Sequence, residues 1–142
     1  ALPEAVERLR EWSTRPHEGE EPLAVLNACD PAWSVGSLAR PGGELPPVPR
    51  RPGAYVALLR GEAVLVAERW GRALAAPVGI ESDLLAQALP ALLSAITGRT
   101  GRRRIIVETW NGAPILGSPG QALLERAGAC AHPPHIEWPA AR

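Results

Sequence analysis

The sequence predicts an α+β domain in which a strongly curved antiparallel sheet, or partial β-barrel, carries helices on its flank. Residues 55–59 and 63–67 are apolar runs, and the Gly-centred break between them, Arg60-Gly61-Glu62, is typical of a β-hairpin. A third apolar run, residues 73–76, extends the hairpin into a meander. Neither long run alternates polar with apolar residues, so we expect both faces of the sheet to be covered.

Size and composition favour one domain and exclude some classes of protein. A chain of 142 residues is long enough to bury about 70% of the surface that its unfolded form exposes. The formal net charge is zero, which argues against nucleic-acid binding through the overall field but leaves local patches open. All fifteen cations are Arg, so a phosphate-binding loop with Lys is excluded, and with it an ordinary P-loop NTPase.

Cysteine content and hydropathy predict an intracellular, cytoplasmic protein. Cys29 and Cys130 lie far apart in the sequence, and no apolar signal segment opens the chain, so we expect free thiols. No run approaches the roughly 18–20 apolar residues that cross a bilayer, and we expect no contact with a membrane. The chain begins with Ala rather than Met, which favours a segment of a longer protein.

The predicted organisation is an N-terminal helix and linker over residues 1–21, followed by a single β-barrel-like α+β domain over residues 22–142. The opening helix follows from apolar residues at helical spacing, and the linker from the polar run after it. Residues 23–26 form a short apolar strand that ends in an Asp30-Pro31 turn. A Pro-rich irregular loop over residues 31–52 is expected to lie across the sheet.

Two helices are predicted in the second half of the chain. The first covers residues 81–97, with Ser82 as its cap and one wide apolar stripe. Pro90 lies inside this helix and should kink or divide it. The second begins at Ser118-Pro119-Gly120-Gln121, a sequence typical of a capping box with Pro at the first helical position, and stops at Gly128.

Three further strands complete the predicted sheet. Residues 105–107 are an apolar run, and the Asn111-Gly112 turn that follows should let residues 113–116 return beside it. The Pro-rich end of the chain predicts a last edge strand near residues 136–138.

The densest positive patch predicts a nucleic-acid contact. Arg99, Arg102, Arg103 and Arg104 fall within six residues between the first predicted helix and the strand after it. Guanidinium groups bind phosphate through paired N–H donors. A run of charge at such a junction is also common on a solvated surface, so this pattern alone leaves both interpretations open.

Catalytic and metal signals are weak. Asp30 and Glu68 are carboxylates beside apolar runs, where burial raises a pKa, but no spacing pairs either with a base, a nucleophile or a metal. Cys130, His132 and His135 match no zinc-finger spacing. We therefore predict no catalytic residue beyond these two weak candidates, no metal and no cofactor for this chain.

Several stretches, in order, resemble the extreme C-terminal module of the Lhr family, the large helicase-related superfamily 2 helicases. The similarity covers roughly residues 23–129. The family-like motifs are Ala28-Cys29-Asp30-Pro31-Ala32, Arg51-Pro52-Gly53-Ala54, Ala67-Glu68-Arg69-Trp70-Gly71-Arg72, and Val107-Glu108-Thr109-Trp110-Asn111-Gly112-Ala113-Pro114-Ile115-Leu116-Gly117-Ser118-Pro119.

This resemblance implies a β-barrel-like module at the end of a long helicase extension, similar to the C-terminal part of AlkZ-type DNA glycosylases. It implies support of oligomeric assembly and nucleic-acid engagement, while ATP hydrolysis belongs to a helicase core outside this chain. Some members of the family are linked to uracil-DNA glycosylase activity of the extension.

The sequence thus predicts a non-ATPase C-terminal accessory module of a DNA repair helicase that supports assembly and contacts nucleic acid. Its expected partners are other domains or copies of the helicase and DNA, with no small-molecule substrate. One alternative is part of a uracil-type glycosylase that flips a base and orients water with Asp30 or Glu68. Another is a plain protein–protein interaction domain with Trp33 or Trp138 as an exposed anchor.

Overall fold

The computed structural model confirms the α+β class. It describes residues 3, 4, 6, 7, 23–31, 33 and 48–141. The strands are β1 (Leu23–Asn27), β2 (Tyr55–Leu59), β3 (Glu62–Glu68), β4 (Ala73–Ala75), β5 (Arg104–Val107), β6 (Thr109–Trp110), β7 (Ala113–Pro114), β8 (Cys130–His132) and β9 (His135–Pro139). The helices are α1 (Ser82–Thr100) and α2 (Pro119–Arg126), and a 3₁₀ turn covers Arg69–Gly71.

The predicted meander is the centre of the larger sheet, whose order is β1-β2-β3-β4-β6-β7. The first four strands pair antiparallel in sequence order, and Asn27, Tyr55 and Ala67 lie side by side across β1, β2 and β3. A register shift between Ala57 and Leu58 marks a bulge in the β2–β3 pair. Within the described strands, the sheet is open between β1 and β7, so no closed barrel forms there.

A second sheet has the order β5-β9-β8 and is antiparallel throughout. The strand predicted at residues 105–107 therefore leaves the meander and pairs with the end of the chain. The last strand predicted near residues 136–138 is confirmed as β9. Its predicted edge position was wrong, because β9 is the middle strand, with β8 on its other side. Buried Ile136 and Trp138 explain why β9 occupies the centre rather than the edge.

Helix α1 packs on the meander as predicted, with a buried stripe of Leu85, Ala88, Leu89, Leu92, Leu93, Ile96 and Thr97. The cap prediction was wrong, because Glu81 is the N-cap and Ser82 is the first helical residue, with no side-chain cap hydrogen bond. Of the two predicted effects of Pro90, division does not occur: the helix continues as one element, with buried residues before and after the proline.

The boundaries predicted for α2 are confirmed at both ends. Ser118 is the N-cap, Pro119 begins the helix, and Gly128 beyond its end has a φ of 92°. The capping box itself does not form, because the Ser118 hydroxyl donates to the Ile115 carbonyl at 2.7 Å. Gln121 reaches back as expected, but its Oε1 accepts from the Gly117 N–H at 2.8 Å rather than from Ser118.

Both faces of the meander are covered, as the sequence predicts. Tyr55, Ala57 and Leu59 of β2 join the main core with α1. Val56 faces the other way and packs with Trp33 in a second, smaller core. The side chains of both faces are removed from water, which accounts for the lack of polar alternation along β2.

The ends of the chain and its long loop are described only in part. Pro3, Glu4, Val6 and Glu7 are helical, in agreement with the predicted opening helix. The rest of that helix, the linker and most of the Pro-rich loop fall outside the described residues. Among the helices that are described, none is long and apolar enough to span a membrane.

Candidate nucleic-acid interface

An open groove of about 530 Å³ lies where the end of α1 meets the start of β2 and the Arg69–Gly71 turn. Its lining combines two aromatic rings and two guanidinium groups with smaller polar and apolar side chains. The lining residues are Asn27, Pro52, Tyr55, Trp70, Arg99, Thr100 and Arg102. The rings of Tyr55 and Trp70, called here the aromatic floor, therefore share the groove with the positive charge of Arg99 and Arg102.

The neutral polar residues of the groove hold its walls together. Asn27 donates from Nδ2 to the Pro52 carbonyl at 2.7 Å, and its Oδ1 accepts from the Cys29 N–H at 2.9 Å. Thr100 donates to the Ile96 carbonyl at 2.7 Å. Asn27 and Thr100 are already engaged in these bonds, so the donors left to face a ligand are those of the Arg side chains, the Tyr55 hydroxyl and the Trp70 indole.

The Arg69–Gly71 turn presents Trp70 through an unusual backbone. Arg69, Trp70 and Gly71 have successive φ values of 51°, 61° and 92°, all in the left-handed region. A left-handed conformation costs a non-Gly residue roughly 1–2 kcal/mol, so the surrounding contacts must hold the turn in place. The Trp70 N–H donates to the Gly53 carbonyl at 2.9 Å and supplies one such contact.

Gly53 also packs on the indole of Trp70. A Cβ at Gly53 would lie 3.1, 3.2 and 3.3 Å from Nε1, Cε2 and Cδ1 of that ring. Near-equal distances to three bonded atoms place this point above the ring face rather than beside its edge. Trp70 is half-buried and inclined at 53° to Tyr55, with 6.2 Å between the ring centroids.

Two of the four predicted Arg residues reach the groove. Arg99, in the last turn of α1, lies 5.9 Å from the centroid of the Tyr55 ring. Arg102 lies 5.4 Å from the centroid of the Trp70 ring. In the described part of the chain, no carboxylate forms an ion pair with either guanidinium, so both keep N–H donors for an anion.

The other two Arg residues have different surroundings. Arg103 is exposed, and its backbone carbonyl accepts from the Ala140 N–H at 2.9 Å. Arg104 opens β5 and pairs with Glu137 at 3.4 Å. The structure thus brings Arg99 and Arg102 together at the groove, leaves Arg103 beside them in the chain, and engages Arg104 with a carboxylate on β9.

Glu108 fastens the turn to the rest of the fold. Its two carboxylate oxygens lie 3.0 Å from Arg72 and 3.8 Å from Arg69. The Glu108 N–H also donates to the Arg72 carbonyl at 2.7 Å. This residue, a carboxylate next to an apolar run in the sequence, therefore has a structural role beside the groove.

The Arg104–Glu137 pair gives a prediction about pH. Hydrogen bonding from His135 at 3.3 Å, together with the charge of Arg104, holds the pKa of Glu137 below its ordinary value of 4.5. Because the folded pKa is lower than the unfolded one, the carboxylate stabilises the fold above the unfolded pKa. That contribution is lost as the pH falls through the folded pKa.

We therefore expect Glu137→Gln to flatten the loss of stability below about pH 4.5, while the two proteins keep parallel profiles near neutral pH. Urea midpoints measured between about pH 3 and pH 7 test this expectation. Profiles that remain parallel through the acidic range would contradict it. Because the pair is exposed to solvent, salt should reduce the difference.

The weak catalytic candidates lie near the groove but do not line it. Asp30 is half-buried in the turn after β1, where its N–H donates to the Asn27 carbonyl at 2.9 Å. Glu68 ends β3, directly before the Arg69–Gly71 turn. The end of β1, which precedes Asp30, and the end of β3, which holds Glu68, lie at the same end of the sheet. Neither carboxylate is among the residues that form the groove surface.

The Trp residues suggested as exposed anchors are buried, so that part of the prediction was wrong. Trp33 is 8% exposed and packs in the smaller core. Trp138 is 5% exposed, and its indole N–H donates to the Ala127 carbonyl at 3.1 Å. The chain has no Phe, so Trp side chains supply most of the large aromatic surface available to its cores. This explains why Trp33 and Trp138 are buried.

The potential metal ligands do not converge in the described residues. Cys29 and Cys130 are exposed free thiols. The rings of His132 and His135 are 6.5 Å apart across the β8–β9 hairpin. Within the described part of the chain, no group of three or more His, Cys, Asp or Glu side chains is placed to hold an ion.

Sequence reasoning missed the aromatic floor. In the sequence, Trp70 belongs to a family-like motif and Tyr55 begins an apolar run, and neither pattern indicates a site residue. The one signal that the sequence offers for Trp70 is the Arg-Trp-Gly order, which places a large aromatic ring between a cation and a glycine. The contact of Arg99 with Tyr55 joins residues 44 positions apart in the printed sequence, and no local pattern predicts it.

The fold and the groove together define an α+β domain with a cationic, aromatic-floored surface. No protein-family model and no curated protein matches the chain. A functional assignment therefore depends on the residues of the groove and on the sequence resemblance described above.

Proposed function

We propose that this chain is a non-ATPase C-terminal accessory module of a larger DNA repair helicase. In this proposal it supports the assembly of that protein and contacts nucleic acid through the groove. The resemblance to the Lhr family is the support for a helicase as the parent protein. The bulge between Ala57 and Leu58 is consistent with the curved, partial-barrel sheet that the same resemblance implies.

One observation carries the nucleic-acid part of the proposal: Arg99 and Arg102 lie over aromatic rings at the mouth of a groove, with no carboxylate paired to them in the described part of the chain. Proteins that bind single strands combine cationic grooves with aromatic platforms. Arg69, Arg72 and Arg104 contrast with this pair, because each is opposed by a Glu.

The electrostatics of the chain agree with a local contact rather than a general one. Zero formal net charge gives no long-range attraction to DNA, so affinity must come from the few cations that reach phosphate. Each phosphate contact on a single strand contributes about 0.7 to the slope of log K against log salt. Arg99, Arg102 and Arg103 would together account for a slope of about 2.

The test is binding of the purified domain to single-stranded and duplex DNA over a salt series from about 50 to 200 mM. The variant replaces Arg99, Arg102, Arg103 and Arg104 with Gln. We expect it to bind more weakly and to show a salt slope smaller by about 2 to 3. Arg104 should contribute least, because Glu137 competes for it.

A charge-matched control separates position from net charge. Arg60 lies at the far end of β2 from Tyr55, and Arg126 ends α2. The double variant Arg60→Gln/Arg126→Gln should therefore keep the affinity that Arg99→Gln/Arg102→Gln loses. Equal losses in the two double variants, or no binding by the unmodified domain at low salt, would refute the proposed contact.

A further inference from the structure

We infer that the groove takes a nucleotide base out of single-stranded DNA and stacks it against the Trp70 indole. This inference rests on the proposed function and deepens it by naming the form of the nucleic acid. The proposed function requires only cations near phosphate, whereas stacking requires a ring whose face a base can reach. The position of Trp70 supplies that second requirement.

Contacts with neighbouring residues hold the Trp70 indole in place. Gly53 covers one face of its pyrrole ring, and the backbone N–H of Trp70 bonds to the Gly53 carbonyl. Glu108 pairs with Arg69, directly before Trp70 in the sequence, and with Arg72, two residues after it. A ring that is held in place before binding loses little freedom when a base stacks on it.

Arg102 marks the place that a base would occupy. Its guanidinium, a flat cation, lies 5.4 Å from the centroid of the Trp70 ring. An exposed cation–π contact of this kind changes an equilibrium by roughly 2- to 5-fold. Base–aromatic stacking changes it by roughly 5- to 150-fold, so a base displaces the guanidinium, which then turns to the adjoining phosphate.

The size and chemistry of the groove select a single strand. A volume of about 530 Å³ lies in the range of small-ligand sites, which is enough for one nucleotide. Bases within a duplex are stacked on each other and present only their edges. In the described residues, no hydrogen-bond partner faces the indole N–H of Trp70, which leaves that donor for a base or a phosphate.

The experiment compares three ligands of equal length: an oligothymidylate, an abasic strand with the same phosphates, and a duplex. The unmodified domain should bind the oligothymidylate at least about 5-fold more tightly than the abasic strand. The duplex should bind no more tightly than the abasic strand. Trp70→Leu should remove the preference for the oligothymidylate over the abasic strand, and Trp70→Phe should restore most of it.

A crosslink in the unmodified domain makes the result independent of how the variants fold. An oligothymidylate that carries one 5-iodouracil should, on irradiation, attach to Trp70, as mapped by mass spectrometry of the peptides. Equal binding of the intact and abasic strands, or a crosslink that maps away from the groove, overturns base stacking but leaves the phosphate contact standing. Failure to bind any strand overturns both proposals.

Discussion

Gly120→Ala should destabilise the domain by about 3 kcal/mol, near the top of the range for overpacking a core. Gly120 is buried in the first turn of α2, and a Cβ there would lie 2.3 Å from Cε3 of Trp110 and 2.5 Å from its Cδ2. Trp110 is 5% exposed and belongs to the main core. The indole is rigid, so the overlap can be relieved only if the helix or the whole ring moves.

The measurement is the free energy of unfolding in urea, with the melting temperature as a second reading. For a domain of this size the loss should lower the melting temperature by about 10 °C. Gly98→Ala is the matched control, since Gly98 also lies in a helix but has no atom within 4 Å of the added methyl. Alanine there should stabilise by about 0.5–1 kcal/mol, and a loss similar to that of Gly120→Ala would contradict the packing argument.

Gly71→Ala should cost about 2–5 kcal/mol, because two separate effects add at one residue. Its φ of 92° is in the region that side chains avoid, and its Cβ would lie 2.6 Å from Cγ2 of Ile105. Ile105 is 2% exposed on β5, so the methyl has no open side toward which it could shift. Unfolding in urea again gives the measurement.

Gly128→Ala separates the two effects. Gly128 has the same φ of 92°, but nothing lies within 4 Å of its added methyl. This control should therefore show only the backbone cost of about 1–2 kcal/mol, and the remainder at Gly71 should come from Ile105. If the two variants lose the same free energy of unfolding, steric overlap with Ile105 is not a significant factor.

The parts of the fold that the sequence predicts are those set by neighbouring residues. Arg60-Gly61 and Asn111-Gly112 both adopt the left-handed turns that their sequences favour, with φ values of 52° and 78° and of 50° and 79°. The start of α2 follows from Pro119. In each case a local cause is sufficient, so distant parts of the chain do not change the outcome.

The parts that sequence reasoning missed depend on distant contacts. Pairing of β5 with β9 joins Arg104 to Pro139, and no turn or spacing indicates that β5 leaves the meander for a second sheet. Pro90 within α1 shows tertiary packing overriding a local preference against proline. The burial of Trp138 follows from the same second sheet.

The candidate site divides in the same way. The Arg residues could be found because they are clustered in sequence, and Arg99 and Arg102 do reach the groove. Tyr55 could not be found, because its neighbourhood comes from β1, α1 and the Arg69–Gly71 turn together. Arg104 could not be distinguished from the other three, since its partner Glu137 comes from the end of the chain.

The junction between β5 and β6 links the two sheets through one residue. Val107 pairs with β9, Thr109 pairs with β4, and only Glu108 lies between them. The Arg72 carbonyl accepts from the N–H groups of both Glu108 and Thr109, at 2.7 and 3.2 Å. Local opening of one sheet at this junction would disturb the hydrogen bonds of the other. We therefore expect the amide protons of β4, β5 and β6 to exchange as one cooperative unit.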